Sequence, residues 1–420
     1  MTTMKREYSY LLQVGALFLN LRPKWRYLSI LQLVIYFTIP IYFMYSAVLT
    51  TIAWGDDLNN IATTVHYTTL LLITDIVLVA FIYYRARIAD LMRITGNNYY
   101  TYKDGFQSSK EEMWKKRDRK LKIILIVAVP LYFSLCVVVG LVIAPNLDAN
   151  KKSSTNADYI NNIYMKSPVP MVFPFEINEE ATYFFSTLSQ ILAGMVIALV
   201  IAGADLVLIF LSLGVGFQMN ILRDAIQNID NRALKVFNEI YKEDSKKKTM
   251  KELYDDGRFM KLIDWCIKQN VEHHKVISRA FEHISEVGKW PLGAAFFFVS
   301  AAIAFALFSF VSSSQIIAQL LSLMLLSAEV WNMLIISLIG QQLTDMSEGI
   351  GNDLYDLKWR YWNKSCKVSM LIFKERLKRP LVILAGGLTP INMEMFAAVS
   401  QPLRCIINAV FNQKLINPLK

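Results

Sequence analysis

Three carboxylates stand where carboxylates are costly: Asp75, Asp205 and Glu329 each interrupt a long apolar run of this 420-residue chain. Charge in such surroundings marks an ion pathway, a coupling site or a pair held against another helix. Ion-coupled transport is the chemistry these groups would do by themselves. Against it, no inverted repeat is visible and the apolar runs do not divide into matched halves. His66 and Tyr67, adjacent near one end of a run, could orient a small molecule by hydrogen bonding. The four cysteines, Cys136, Cys266, Cys366 and Cys405, fit no metal spacing, and none falls in a loop where an external disulfide is expected. No nucleophile–base pair, phosphate loop or metal cluster appears, so neither an enzyme nor a cofactor is implied.

The elements that would carry these residues follow from where the apolar residues lie. Hydrophobic residues make up 54% of the chain and aromatic residues 12%, in long runs rather than periodic stripes. A water-soluble domain needs polar outer faces and rarely carries so much. A membrane-crossing helix takes about 20 mostly apolar residues. Seven segments qualify, near 27–54, 61–84, 122–144, 181–213, 291–312, 319–340 and 381–413. The last is the weakest, interrupted by Asn392, Glu394, Gln401, Arg404 and Asn408. Lys5, Arg6 and a mixed run up to Arg26 precede the first, so insertion is expected to use that span itself.

The net charge of +10 resides in the loops. Of the 44 Lys and Arg residues, 38 fall in the N-terminal stretch, the connection between spans two and three, residues 214–290 and residues 341–380. The opposite loops carry three. Basic loops face the cytoplasm, which predicts a cytoplasmic N-terminus and an extracellular C-terminus. That orientation is opposite to a G-protein-coupled receptor, and no Asp-Arg-Tyr or membrane-embedded Asn-Pro-x-x-Tyr is present. No zinc-finger or RNA-binding motif accompanies the charge, so no nucleic acid is expected.

The cytoplasmic segments read as helices. Met260, Ile263, Ile267, Val271, Ile277, Phe281 and Ile284 recur mostly at three- and four-residue steps, and Met219, Leu222, Ile226 and Ile229 do the same past span four. A third stretch, 352–376, carries Leu354, Tyr355, Trp359, Trp362, Cys366 and Met370. These faces predict a bundle that prolongs the spans on the water side, with 243–251 as a polar loop between helices. The fold class is therefore an all-α membrane protein of seven transmembrane helices with cytoplasmic helical extensions forming an anchor bundle. It divides into 1–213 (spans one to four), 214–290 (cytoplasmic helices), 291–340 (spans five and six), 341–380 (anchor helix) and 381–420 (last span).

From Leu343 the chain reads LTDMSEGIGNDLYDLKW, then a basic helix, then RPLVILAGGLTPINMEMF. Pro380 should end the basic helix. Gly386-Gly387 makes a flexible or close-packed joint, and Thr389-Pro390 is expected to open a new helix, with the membrane part starting near Asn392. Ser347, Leu354-Tyr355, Trp359, Pro380, Ala385-Gly386-Gly387, Pro390 and Phe396, in this order and spacing, resemble the C-terminal signature of the insect odorant receptor family. Glu329 and Asp75 also look like charges that family tolerates.

The resemblance implies an odorant-gated, non-selective cation channel of four subunits, pore-lined by the last helix. At helical spacing Cys405, Ala409, Asn412 and Gln413 fall on one stripe of it, Asn412 and Gln413 as a hydrated mouth above small apolar residues. Ala409 stands where relatives usually place a larger apolar gate residue, and Pro402 and Arg404 depart from the family's Ser/Tyr-rich pattern. Arg404 would face water, an acidic group or a neighbouring subunit. The odour pocket of related receptors lies among spans two to six in the outer half of the membrane. By depth the matching residues are His66, Tyr67 and Leu70, then Phe133, Val137 and Gly140, then Tyr183, Phe184 and Leu188, with Phe305 and Phe308. The partners implied are a small volatile odorant, membrane lipid, permeant cations and either a coreceptor in a heterotetramer or copies of the same chain, with no G protein required. Residues 214–290 are too short for the coreceptor's insertion, so the chain resembles a tuning subunit, expected in the plasma membrane of olfactory neuron dendrites. The gustatory receptors share the architecture, but their usual final-helix pattern is absent. Asn363-Lys364-Ser365 matches a glycosylation sequon, yet lies on the predicted inner side and is expected to stay unmodified.

Overall fold

The computed structural model describes residue 12 and residues 26–53, 58–96, 100–138, 169, 171–175, 180–242, 249–312 and 316–401. Helices dominate it: α1 (Arg26–Ala53), α2 (Leu58–Tyr83), α3 (Arg85–Gly96), α4 (Glu111–Val138), α5 (Glu180–Gln227), α6 (Ile229–Tyr241), α7 (Met250–Asp255) and α8 (Gly257–Ala294). A π turn (Ala295–Val299) continues α8 into α9 (Ser300–Ser312). Next come α10 (Ile316–Tyr355), a 3₁₀ turn (Trp359–Tyr361), α11 (Lys364–Leu377), two short strands, and a final described helical stretch, 393–401.

Four helices among the described residues are long and apolar enough to cross a membrane: Arg26–Ala53, Thr64–Tyr83, Ala181–Gln227 and Gly257–Phe308. Of the other expected spans, 139–144 and 402–413 lie outside the described residues. The qualifying helices are buried to very different degrees, 28% of the apolar window in α1 against 83% in α5. Helix α5, 48 residues and about 72 Å long at 1.5 Å per residue, is the central mast, touching α2, α4, α8 and α10. Helix α1 instead turns Leu31, Val34, Ile35, Ile41, Val48 and Ile52 outward. An apolar strip of that kind is stable only against hydrocarbon or another apolar surface.

Past the apolar lengths, α5, α8 and α10 run on without a break and gather α3, α6, α7 and α11 around them. The face of α8 read from periodicity is the buried one: Met260, Ile263, Ile267, Ile277, Phe281 and Ile284 are all in the core, with Val271 partly buried against it. Met219, Leu222, Ile226 and Ile229 are likewise buried. Thr249 starts α7 with a capping box, accepting from Glu252 N while the Glu252 carboxylate accepts from Thr249 N.

The segment after α11 corrects one expectation. Thr389-Pro390 does not open a helix: Leu384–Ala385 (β1) pairs antiparallel with Thr389–Pro390 (β2), Leu384 opposite Pro390. Gly386 and Gly387 take the positive φ that the turn demands, at 61° and 79°. Gly386 N–H donates to Lys289 O at 3.0 Å, so the hairpin sits on the end of α8. A Cβ on Gly293 would lie 2.7 Å from Gly386 Cα, which is why both surfaces are glycine there. Asn392 then caps the next helix, accepting from Met395 N at 2.8 Å, so the helix start expected there does appear. Ser347 is buried and its hydroxyl accepts from Leu381 N at 3.0 Å, just after Pro380 has ended the basic segment.

Candidate functional site

The spans carry an apolar cluster under a polar clasp where α1 ends and α2 begins. Tyr67 on α2 meets Phe43 on α1 edge to face, centroids 6.3 Å apart, and Phe43 meets Phe173 likewise at 6.2 Å. Met171 and Phe173 are buried, so residues 171–175 lie across the cluster. Gln190 on α5 fastens this cover: its Oε1 accepts from Val169 N at 3.0 Å and its Nε2 donates to Val169 O at 2.9 Å. Thr50 does the same from α1, accepting from Val172 N at 2.8 Å and donating to Ser46 O. A buried amide is tolerable because both of its halves are paired. Tyr67 Oη donates to Gln190 O at 3.5 Å.

Next to Tyr67 on the same helix, a polar contact lies within the apolar interior. His66 on α2 places Nε2 3.2 Å from Glu329 Oε1 on α10 and Nδ1 3.1 Å from Ala302 O on α9. Both residues are over nine-tenths buried. A backbone carbonyl only accepts, so Nδ1 carries the hydrogen at that contact, while Nε2 and the carboxyl group face each other at ion-pair distance without hydrogen-bond geometry. Three helices are thereby tied at one imidazole. Glu329 Oε2 has no hydrogen-bond partner among the described residues. Asp205 of α5 is held separately, by the Asn332 side chain of α10.

The structure brings together only part of the residue set suggested by depth. His66 and Tyr67 are buried, and Leu70 and Tyr183 pack against the core. Phe184 and Leu188 point off the outer side of α5, Phe184 being 62% exposed, because the side that buries Ser186 and Gln190 is nearly opposite. Phe305 lines a groove on the flank of the bundle, and Phe308 is exposed on α9. Phe133 and Val137 are on α4 at positions whose side chains are not described, while Gly140 and the pore stripe Cys405, Ala409, Asn412 and Gln413 lie outside the described residues. Sequence reasoning missed Phe43, Thr50, Gln190 and the cover formed by Val169 and residues 171–175. Gln190 did carry a signal, being a lone amide in an otherwise apolar run.

At the other end, a charged cluster locks the connection between α3 and α4. Arg232 on α6 donates from Nε to Asp104 Oδ2 at 2.7 Å, with the two side chains 3% and 1% exposed. Its NH1 donates to Asn270 Oδ1 and Ala225 O, and its guanidinium lies over the Tyr102 ring at 4.3 Å. Tyr102 Oη sits 2.8 Å from His273 Nδ1, and His273 Nε2 sits 3.3 Å from Gln218 Oε1. A neutral imidazole satisfies both contacts, the hydroxyl donating to Nδ1 and Nε2–H donating to the amide. Burial first, then the charges of His274 and Arg232, pushes the His273 pKa down to about 3. Burial, with Arg376 nearby, pushes His274 down to about 4. Burial raises Tyr102 far above the ordinary phenol range. Cys266 and Cys366 are free and buried, and burial raises their thiols to about 12 and about 11, so both stay protonated.

A sequence profile described as the 7tm odorant receptor matches residues 57–401. A search of curated proteins finds no match. Among solved structures, the chain is similar to the insect olfactory receptor OR5 from Machilis hrabei in complex with eugenol, at 12% identity and a TM-score of 0.70 over 97% of each chain. It is similar to a second structure of that receptor at 10% identity and a TM-score of 0.73, over 97% of this chain and 96% of that one. At these identities the likeness is one of fold.

Proposed function

Because the chain belongs to the 7tm odorant receptor family, which is one of receptors and not of enzymes, we propose that it is the odorant-binding subunit of an odorant-gated, non-selective cation channel. It crosses the plasma membrane seven times with its N-terminus inside, as the charge distribution requires. The observation that carries the ligand site is the clasped cluster: a buried His66–Tyr67 pair at the outer end of α2, roofed by a segment that Gln190 and Thr50 hold down. Leu70 and Tyr183 border it, and Phe133, Val137 and Gly140 of span three would close its remaining side. Such a site is apolar with a few oriented polar groups, which suits a small volatile molecule. The similar Machilis hrabei receptor was solved with eugenol, and a ligand of comparable size is inferred here. Apolar burial, at about 25 cal/mol per Å², supplies most of the affinity, so broad tuning follows.

Opening requires the odorant to favour the state in which the last helix moves outward, and only by its difference in affinity for the two states. The hairpin transmits that motion, because it is bonded to α8 through Lys289 O and continues directly into the helix capped by Asn392. Cys405, Ala409, Asn412 and Gln413 line the pore. The subunit assembles into a heterotetramer with the odorant receptor coreceptor, and a homotetramer is the alternative assembly.

The test is whole-cell current in cells expressing the chain with and without an insect coreceptor during exposure to a panel of volatiles. Odour-evoked cation current only in the pair supports a tuning subunit, and current from the chain alone supports a homomer. Tyr67→Ala is expected to raise the half-maximal concentration at least fivefold at unchanged surface expression. An unchanged response would remove the cluster as the odorant site.

A further inference from the structure

Away from the clasped cluster, α1, α2, the π turn and α9 frame an open groove of about 480 Å³. Its walls include Val48, Thr51, Thr68, Leu72, Phe298 and Phe305, and among the described residues no Lys, Arg, Asp or Glu lines it. The hydroxyls on these walls are already spent within their own helices: Thr51 donates to Ala47 O at 2.9 Å, Thr68 to Thr64 O at 2.7 Å and Thr69 to Val65 O at 2.7 Å. The groove thus presents methyl groups and rings. Water there would lack the two to four polar partners that hold it.

The rim is continuous with the outward apolar strip of α1. Val48 and Ile52 belong to both, and Phe297 on the opposite rim is 69% exposed. In a multi-pass membrane protein that strip meets lipid tails, and the groove is a notch cut into it. The π turn, whose wider winding displaces side chains relative to an α-helix, sets Phe297 and Phe298 at one end of the notch.

We infer that this groove is a lipid site, seating one acyl chain of a membrane phospholipid, separate from the odorant cluster. Its walls also give it a lever. Val65 flanks His66, and Ala301 flanks Ala302, so the chain presses on the same α2 and α9 segments that the His66–Glu329 contact ties together.

The test needs no odorant and no current, so it stands or falls apart from the channel reading. The full-length receptor is reconstituted into phosphatidylcholine vesicles doped with a phosphatidylcholine carrying a diazirine on its acyl chain. It is irradiated, and adducts are mapped by mass spectrometry. Adducts are expected on residues 65–72 and 297–305 as well as on the α1 strip at 31–41. Ala301→Trp, which fills the notch, should cut the groove adducts several-fold and leave the strip adducts unchanged. Thr51→Trp, on the exposed rim, is the second filling variant if Ala301→Trp does not fold. Adducts confined to the strip would overturn the inference, as would groove adducts insensitive to either filling variant.

Discussion

Two glycines on α10 should respond in opposite ways to the same substitution. A Cβ on Gly340 would sit 2.2 Å from the carbonyl oxygen of Ile391 and 2.9 Å from its Cγ2. The offending oxygen is backbone and cannot rotate away. Its residue is pinned by Ile391 N–H donating to Ile383 O at 2.9 Å, and the helix cap at Asn392 follows at once. Either α10 or the hairpin must retreat by about 1 Å, and overpacking of that order costs about 1–3 kcal/mol. A Cβ on Gly351 would meet only Leu377 Cβ, at 3.9 Å, an ordinary contact. There alanine restricts the unfolded chain and gains about 0.4–1 kcal/mol. Gly340→Ala and Gly351→Ala should therefore differ by about 1.5–4 kcal/mol. The assay is thermal unfolding of the detergent-solubilised receptor, followed by loss of the monodisperse peak in size-exclusion chromatography. Gly340→Ala should also shift the odorant concentration–response curve, because the displaced segment leads into the last helix. If it melts as high as Gly351→Ala, the close approach of α10 to the hairpin is refuted.

Removing either Arg232 or Asp104 alone strands a buried charge and should cost about 3–5 kcal/mol, whereas the pair Arg232→Met/Asp104→Leu should cost less than the sum, as a double-mutant cycle on unfolding would show. His273 and His274, with pKa values near 3 and 4 when folded against 6.5 when exposed, bind fewer protons folded than unfolded between those limits. Stability is thus complete above about pH 6.5 and falls as pH drops, by up to about 1.4 kcal/mol per pH unit for each histidine. Melting at neutral pH and at about pH 5 should show a smaller acid loss for His273→Gln than for the native chain, and an equal loss would refute the assignment. Glu329→Leu removes the polar group that faces His66 Nε2 at 3.2 Å and should lower surface expression, measured by labelling intact cells, while Glu329→Gln should keep most of it. Gln190→Leu orphans both Val169 groups and should raise the half-maximal odorant concentration several-fold, and an unaltered curve would show that the cover of Val169 and residues 171–175 is not part of the site.

What could be read without coordinates depended on the solvent each helix face meets. On α8 the buried Met260, Ile263, Ile267, Ile277 and Ile284 alternate with Lys, Glu and Arg, so the stripe identified the inner face at once. The Arg232–Asp104 pair was not legible. Its members are 128 residues apart, and nothing local to Asp104 points to Arg232 as its partner. The hairpin was half legible. Gly386-Gly387 announced a joint and a helix start was read near Asn392, but Thr-Pro before a helix imitates a first helical turn. Only the pairing of Leu384 with Pro390 reveals a strand.

Within the spans, hydropathy marks depth but not direction, because lipid and protein core are equally apolar. Phe184 and Phe210 are the same residue type on the same helix, one 62% exposed and the other fully buried. No periodicity argument separates them, which is why residues chosen by depth scattered between the core and the outer surface. The polar exceptions do carry direction. A glutamine, a histidine or a glutamate inside an apolar run must find partners beyond its own helix, since the surrounding lipid chains offer none. Gln190, His66 and Glu329 each did so, and Thr50 bound the cover from α1. For a chain of this kind, the side of a membrane helix that faces its neighbours is therefore better sought from its few polar residues than from its many apolar ones.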